Sequence, residues 1–98
     1  MNKNFYAVKL LPSRPDFAQT MTDEEKEIMG EHAAYWTTHM SKGMVHVFGP
    51  VFDPNGVYGL GIVSAEDEDQ LKTFIDNDPA LKINKVEYYP MMAMVAEK

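Results

Sequence analysis

The sequence predicts an α+β fold in which strands and helices follow the order β-α-β-β-α-β along 98 residues. Four short runs rich in aromatic and branched residues predict the strands, and two segments with apolar residues at helical spacing predict the helices. The length allows one hydrophobic core and is too short for two. We therefore expect a single domain over residues 1–98.

The first strand and the first helix are separated by a loop. Residues 5–11 (FYAVKLL) predict the strand, and residues 12–21, with two prolines and no apolar period, predict a loop long enough to cover a pocket. Thr22 and Glu25 form a capping-box pattern at the start of a helix, and Gly43 is a suitable end for it. The predicted buried face of this helix consists of Ile28, Met29, His32, Tyr35, Trp36, His39 and Met40.

The centre of the sequence predicts a β-hairpin. Residues 44–52 and 57–64 flank the segment 53–56, Asp-Pro-Asn-Gly, whose residues are typical of chain reversals. We expect two antiparallel strands here.

A short helix and a last strand complete the predicted order. Ser64, three residues before Asp67, indicates a helix cap, and the helix is expected to end near Asp78. Residues 85–95 predict the last strand, in which Pro90 favours an edge position because proline cannot donate to a β-ladder. This order is that of the ferredoxin-like split βαβ sandwich, a four-stranded antiparallel sheet with two helices on one face.

Composition excludes several classes of function. The formal charge is −6 with no cluster of Lys or Arg, which argues against nucleic acid and anionic membrane as partners. There is no Cys, so disulfides and thiolate sites are absent. No apolar run approaches the roughly 20 residues of a membrane span. We expect a cytoplasmic protein.

Three of the predicted strands, among them the first and the last, are apolar on both faces, which is unusual for a sheet covered by helices on one side only. Residues of both faces are Phe5, Tyr6, Ala7, Val8, Leu10 and Leu11 in the first strand, and Tyr88, Tyr89, Met91, Met92, Met94 and Val95 in the last. A second copy of the chain would cover the open face, so a homodimer is expected. The alternative is a surface that is merely somewhat apolar.

Two residues are candidates for acid-base chemistry. His32 falls in the apolar stripe of the first helix, and Asp78 falls at the end of the second, where burial and the negative end of the helix dipole both disfavour a carboxylate. A contact with His32 would resolve this and leave one ring nitrogen free to move a proton. Structural alternatives remain open: a satisfied core histidine, and an Asp-Pro turn.

Metal and cofactor motifs are not expected. His39 lies seven residues from His32, which is roughly 10 Å along a helix and too far for one shared metal. No glycine-rich phosphate loop, nucleophile elbow or zinc motif occurs in the sequence. We expect no metal and no cofactor.

His32, Gly43, Gly49-Pro50 and Asp78-Pro79 together resemble the YCII-related family, over nearly the whole range 5–94. The resemblance implies the dimeric α+β barrel form of the ferredoxin-like fold and an active site formed by the His and the Asp. A related enzyme eliminates hydrogen chloride from a chlorinated hydroxyquinol, and the wider group includes muconolactone isomerases and haem or quinol monooxygenases.

This sequence departs from the family in its hairpin, residues 53–56, and in its first loop, which contains Arg14 and Asp16. The identity of a substrate therefore cannot be carried over from the family.

The leading hypothesis is a small cofactor-independent lyase or isomerase in which His32, oriented by Asp78, moves a proton on a small, aromatic-type substrate. Aromatic residues would form apolar walls, a glycine-proline pair would border the site, and an arginine would meet a negative group. These expected binding residues are Arg14, Trp36, Gly49, Pro50 and Tyr58. The alternatives are a non-catalytic binding or regulatory module, and a purely structural dimer.

Overall fold

The computed structural model describes residues 4–96, so residues 1–3 and 97–98 of the expected domain lie outside it. Its elements follow the predicted order, with one additional short helix and one 3₁₀ turn. They are β1 (Asn4–Pro12), α1 (Phe17–Thr20), α2 (Asp23–Ser41), β2 (Val45–Val51), β3 (Tyr58–Ala65), α3 (Glu68–Asp76), the 3₁₀ turn (Pro79–Lys82) and β4 (Asn84–Met91).

The four strands form one antiparallel sheet in the order β2-β3-β1-β4. The split βαβ arrangement produces this order, so the ferredoxin-like α+β fold predicted from the sequence is confirmed. Pro90 lies in β4 and Pro50 in β2, which are the two edge strands. Both prolines therefore occupy strands in which one side of the backbone needs no ladder partner.

Helix α2 begins and ends at the residues that the sequence indicates. The Thr22 hydroxyl accepts from the Glu25 backbone N–H at 3.1 Å, and the Glu25 carboxylate accepts from the Thr22 N–H at 2.9 Å. This capping box satisfies backbone donors that the first turn leaves unpaired. Beyond Ser41, Gly43 adopts φ = +86°, a conformation that favours glycine and directs the chain into β2.

The predicted cap of the second helix was wrong. Ser64 lies buried inside β3, where its hydroxyl is 2.8 Å from His46 Nε2. The cap is Asp67, whose carboxylate accepts from the Gln70 N–H at 2.8 Å, because β3 extends through Ala65 and delays the helix.

Three further boundaries differ from the sequence prediction. The segment 12–21 is not all loop, since it contains α1. Helix α3 ends at Asp76, before Asp78. The last strand ends at Met91 rather than at residue 95.

The core lies between the helices and one face of the sheet. Its buried residues are Tyr6, Val8, Trp36, Val45, Val63, Ala65, Leu71, Phe74 and Ile75. The strand register places another apolar set on the opposite face, which stays half-buried or exposed: Phe5, Ala7, Leu11, Val47, Leu60, Ile62, Tyr89 and Met91. Within residues 4–96, no helix combines the length and apolar character needed to cross a bilayer.

Candidate active site

His32 and Asp78 contact each other although 46 positions separate them in the sequence. The imidazole Nδ1 lies 2.9 Å from one carboxylate oxygen and 3.0 Å from the other. Their side chains are 12% and 4% exposed, so the contact is shielded from bulk water. The structure thus brings together the two residues that the sequence analysis selects.

The Asp78 carboxylate is satisfied by donors from three directions. Besides His32, Trp36 Nε1 donates to Oδ2 at 2.6 Å, and the Ala80 backbone N–H donates to Oδ1 at 2.9 Å. Burying a carboxylate is costly unless it is paired and hydrogen-bonded, and here both conditions are met.

The position of Asp78 differs from the sequence prediction in a way that favours its charge. It lies beyond the C-terminus of α3 and is the N-cap of the 3₁₀ turn that begins at Pro79. A carboxylate is well suited to an N-cap, because it accepts from the first free backbone N–H of the turn. Asp78 is therefore stabilised as the N-cap of the turn and is not part of α3.

This geometry assigns the proton on the imidazole. An ionised carboxylate can only accept, so the Nδ1 of His32 carries the hydrogen and donates it to Asp78. In the neutral ring the lone pair is then on Nε2. No residue in the range 4–96 forms a hydrogen bond with Nε2. The ring is held in the tautomer that a general base requires.

A cavity of about 380 Å³ lies beside His32, between the sheet, α1 and the middle of α2. Its lining residues are Val8, Leu10, Pro12, Phe17, Ala18, Met21, Met29, His32, Ala33, Trp36, Phe48, Gly49, Pro50, Phe52, Val57, Tyr58, Gly59, Leu60, Gly61 and Asn84. Among these there is no Lys, Arg, Asp or Glu. The volume and the apolar lining are in the range of small-molecule sites.

Trp36 connects the cavity wall to the carboxylate. Its ring packs against Phe48 at 5.5 Å and Phe74 at 4.9 Å between centroids, while its N–H reaches Asp78. Gly61 makes this packing possible, because a Cβ there would lie 2.7 Å from Trp36 Cη2.

Of the other expected binding residues, three border the cavity and Arg14 does not. Gly49, Pro50 and Tyr58 border the cavity. The Tyr58 ring, however, lies 4.8 Å from the Lys9 ammonium, and strand alternation places both side chains on the open face of the sheet. Tyr58 therefore borders the cavity from a strand position at which its ring packs beside Lys9.

Arg14 does not line the cavity. Its guanidinium donates to both carboxylate oxygens of Glu25, at 2.8 and 3.1 Å, and to the Thr20 hydroxyl and carbonyl. The expected contact with a bound anion has no support in this geometry, because the donors are already used to fasten the first loop to the start of α2. This pairing, together with the bond from Thr22, lowers the pKa of Glu25 from 4.5 to about 2.

Tyr35 lies behind the site and stays neutral. Its hydroxyl donates to the Phe74 carbonyl at 2.7 Å. Burial, and to a lesser degree the negative charge of Asp78, raise the pKa of the Tyr35 phenol. The residue supports the packing of α2 on α3 and has no place among the cavity-lining groups.

Asn84 lines the cavity, and the sequence analysis missed it. It is 8% exposed and begins β4, directly after the 3₁₀ turn. An isolated asparagine at the start of a strand belongs to no motif, so no local signal could have indicated it. No cluster of three or more His, Asp or Glu able to hold a metal occurs in the described part of the chain.

The sequence profile of the YCII-related domain matches residues 6–95, so the chain belongs to the YCII-related family. Its fold is similar to that of 5-chloro-2-hydroxyhydroquinone dehydrochlorinase from Burkholderia phenoliruptrix AC1100, solved in complex with 2,5-dihydroxybenzoquinone. The TM-score is 0.62 at 20% identity, and the match covers 86% of this chain and 90% of that one. At this identity the likeness establishes the fold. No curated protein sequence matches this chain.

Proposed function

We propose that the chain is a small cofactor-independent acid-base enzyme of the lyase or isomerase type. The observation that carries the proposal is the His32 ring, held through Nδ1 by Asp78 and lining an apolar cavity. Such an arrangement supplies a base of fixed orientation at the wall of an apolar cavity.

The proton transfer follows from the same contacts. His32 Nε2 accepts a proton from the substrate, and Asp78 stabilises the positive charge that the ring acquires. In an elimination, the electron pair of the broken bond to hydrogen forms a new double bond, and the leaving group departs as an anion such as chloride. In an isomerisation, the imidazolium returns the proton to another atom of the same substrate.

The cavity favours a small, largely apolar and uncharged substrate. None of its lining residues carries a formal charge apart from a protonated His32, so a carboxylate or phosphate would have no fixed counter-ion. A single substituted ring fits these walls. The structural neighbour is named for the dehydrochlorination of such a ring, and this supports a dehydrochlorinase-like lyase as the first activity to test.

The test is turnover of 5-chloro-2-hydroxyhydroquinone and related chlorinated hydroquinones, measured as chloride release. His32→Asn keeps a donor near the Nδ1 position for Asp78 and removes Nε2. His39→Asn is the matched control, because His39 Nδ1 makes a comparable bond at 2.9 Å to the Tyr35 carbonyl outside the cavity. We expect a loss of at least 100-fold in kcat for the first variant, as for removal of a general base, and little change for the second.

Asp78→Asn provides an independent arm of this test. It removes the charge that stabilises the imidazolium while keeping the size of the side chain, so kcat is expected to fall at least tenfold. If His32→Asn and Asp78→Asn both turned over the substrate at the wild-type rate, this result would contradict the mechanism. If the wild type bound the chlorinated hydroquinones but turned over none of them, this would favour the non-catalytic binding module instead.

We also propose that the chain forms a homodimer through the open face of the sheet. This face carries apolar side chains from all four strands, and Val47 and Tyr89 among them are 57% and 53% exposed. A second sheet packed on it would bury these side chains. Analytical ultracentrifugation should show a dimer for the wild type and a monomer for Val47→Glu. Thr37→Glu, on the exposed side of α2, is the control that should remain dimeric; a monomeric wild type would contradict the proposal.

Two expectations stay predictions. A single domain over residues 1–98 would give one cooperative unfolding transition. The cytoplasmic location would be tested by fractionation of cells that express the chain.

A further inference from the structure

Asn84, one of the cavity-lining residues, carries an acceptor without a hydrogen-bond partner. Its Nδ2 donates to the Ala80 carbonyl at 3.0 Å and lies 3.7 Å from Met29 Sδ. Its Oδ1 is buried and has no hydrogen-bond partner among residues 4–96. Asn84 is the one residue in this part of the chain whose buried side chain carries such an unpaired atom.

The direction of the carboxamide is fixed by chemistry. Rotating it by 180° would place Oδ1 against the Ala80 carbonyl oxygen, an unfavourable contact between two acceptors, and would lose the bond from Nδ2. The oxygen is therefore the free atom.

Ala80 joins this acceptor to the His–Asp pair. Its N–H donates to the Asp78 carboxylate, and its carbonyl accepts from Asn84 Nδ2. One residue of the 3₁₀ turn thus positions both polar side chains. The same short segment thus holds both the Asn84 carboxamide and the carboxylate that contacts His32.

A buried carbonyl without a donor is costly, and such groups are uncommon unless a ligand or an ordered water completes them. Asn84 is uncharged, lines the same cavity as His32, and cannot itself remove a proton. What it can do is accept a hydrogen bond from a hydroxyl or N–H of a bound molecule.

We infer that Asn84 is a specificity-determining residue that selects ligands carrying a second hydrogen-bond donor. One donor gives its proton to His32 Nε2, and the other stays bound to Asn84 Oδ1 and fixes the orientation of the ring. This inference rests on the proposed function for the location of the site. To that function it adds Asn84 as a binding residue and the requirement that the ligand carry two hydrogen-bond donors.

The experiment compares phenol, catechol, resorcinol and hydroquinone as probes, with dissociation constants measured by NMR titration under nitrogen. In the wild type, at least one dihydroxybenzene should bind about tenfold more tightly than phenol, as expected for a second, buried hydrogen bond. In Asn84→Leu this preference should disappear while phenol binding changes little. Met21→Leu, another cavity residue, is the matched control that should keep the preference.

The comparison is a ratio, so a general weakening of the cavity in Asn84→Leu cancels. Equal binding of phenol and all three dihydroxybenzenes by the wild type would overturn the inference, as would an undiminished preference in Asn84→Leu. Binding is measured without turnover. A catalytically inactive protein that shows the Asn84-dependent preference would therefore refute the proposed function and leave this inference standing.

A second measurement does not depend on a variant. In a crystal structure of the wild-type protein with the tightest-binding dihydroxybenzene, one hydroxyl oxygen should lie about 2.7–3.0 Å from Asn84 Oδ1. A ring oriented with both hydroxyls away from Asn84, or an ordered water that remains on Oδ1, would overturn the inference.

Discussion

Replacing Gly61 by alanine should disturb the site through Trp36. The added Cβ would collide with Cζ3 of the indole and lie 2.7 Å from Cη2 and 3.3 Å from Cε3. These atoms belong to a rigid ring that is enclosed by Phe48 and Phe74. The ring cannot rotate away locally, so either the indole or the backbone of β3 must shift.

The cost is that of overpacking a close-packed core. Inserting a methyl group into such a site typically lowers the free energy of unfolding by about 1–3 kcal/mol. For a domain of this size, the midpoint of thermal unfolding would fall by roughly 4–24 °C. A displaced indole would also weaken its bond to Asp78, so the environment of His32 should change with it.

Urea and thermal unfolding followed by tryptophan fluorescence is a direct assay, because Trp36 is the single tryptophan of the chain. Gly30→Ala is the matched control: a Cβ at this exposed position of α2 meets nothing within 4 Å. Gly61→Ala with wild-type stability and unchanged emission would refute the packing argument.

Three further outcomes follow from individual contacts. Gly30→Ala should raise the free energy of unfolding by about 1 kcal/mol in urea melts, because alanine replaces glycine inside a helix without a clash. The lowered pKa of Glu25 means that its bond to Arg14 stabilises the fold above about pH 4.5 and is lost as pH falls toward 2. Glu25→Gln keeps a capping residue, so its stability deficit should be constant near neutral pH and vanish near pH 2 in acid titrations. The bond to Glu68 raises the pKa of Tyr88 to about 12, so its stabilisation is complete below pH 10 and lost as pH rises through 12. In Glu68→Gln, an NMR titration should show the Tyr88 phenol ionising nearer to 10.

The sequence predicted the fold well where the signals are local. The Thr22–Glu25 capping box, the terminating Gly43 and the edge proline Pro90 each depend on neighbouring residues only, and each has the predicted role. Periodicity also placed His32 in the stripe of α2 that faces the core.

The location of Asp78 shows how a local signal can be read too simply. An Asp followed by Pro79 is the pattern of an N-cap with proline at the first position of a turn, and this is what forms. From the sequence, the preceding helix, α3, was instead expected to end near Asp78, two residues beyond its end at Asp76. The His–Asp contact still formed, because the turn begins beside the middle of α2.

Other features depend on tertiary contacts that no local pattern encodes. The sequence could not show that Arg14 pairs with Glu25, since several acidic residues lie nearby in the sequence. It also could not show that Gly61 faces an indole, or that Asn84 reaches the cavity. These depend on the register of strands that pair across long separations.

The protonation of His32 in the free protein tests the central claim most directly. Two-bond ¹H–¹⁵N NMR spectra of the imidazole at neutral pH distinguish a protonated from an unprotonated ring nitrogen. We expect the hydrogen on Nδ1, bonded to Asp78, and an unprotonated Nε2 at the cavity. A spectrum showing the hydrogen on Nε2 would contradict the account, because the atom assigned to accept the substrate proton would already carry one.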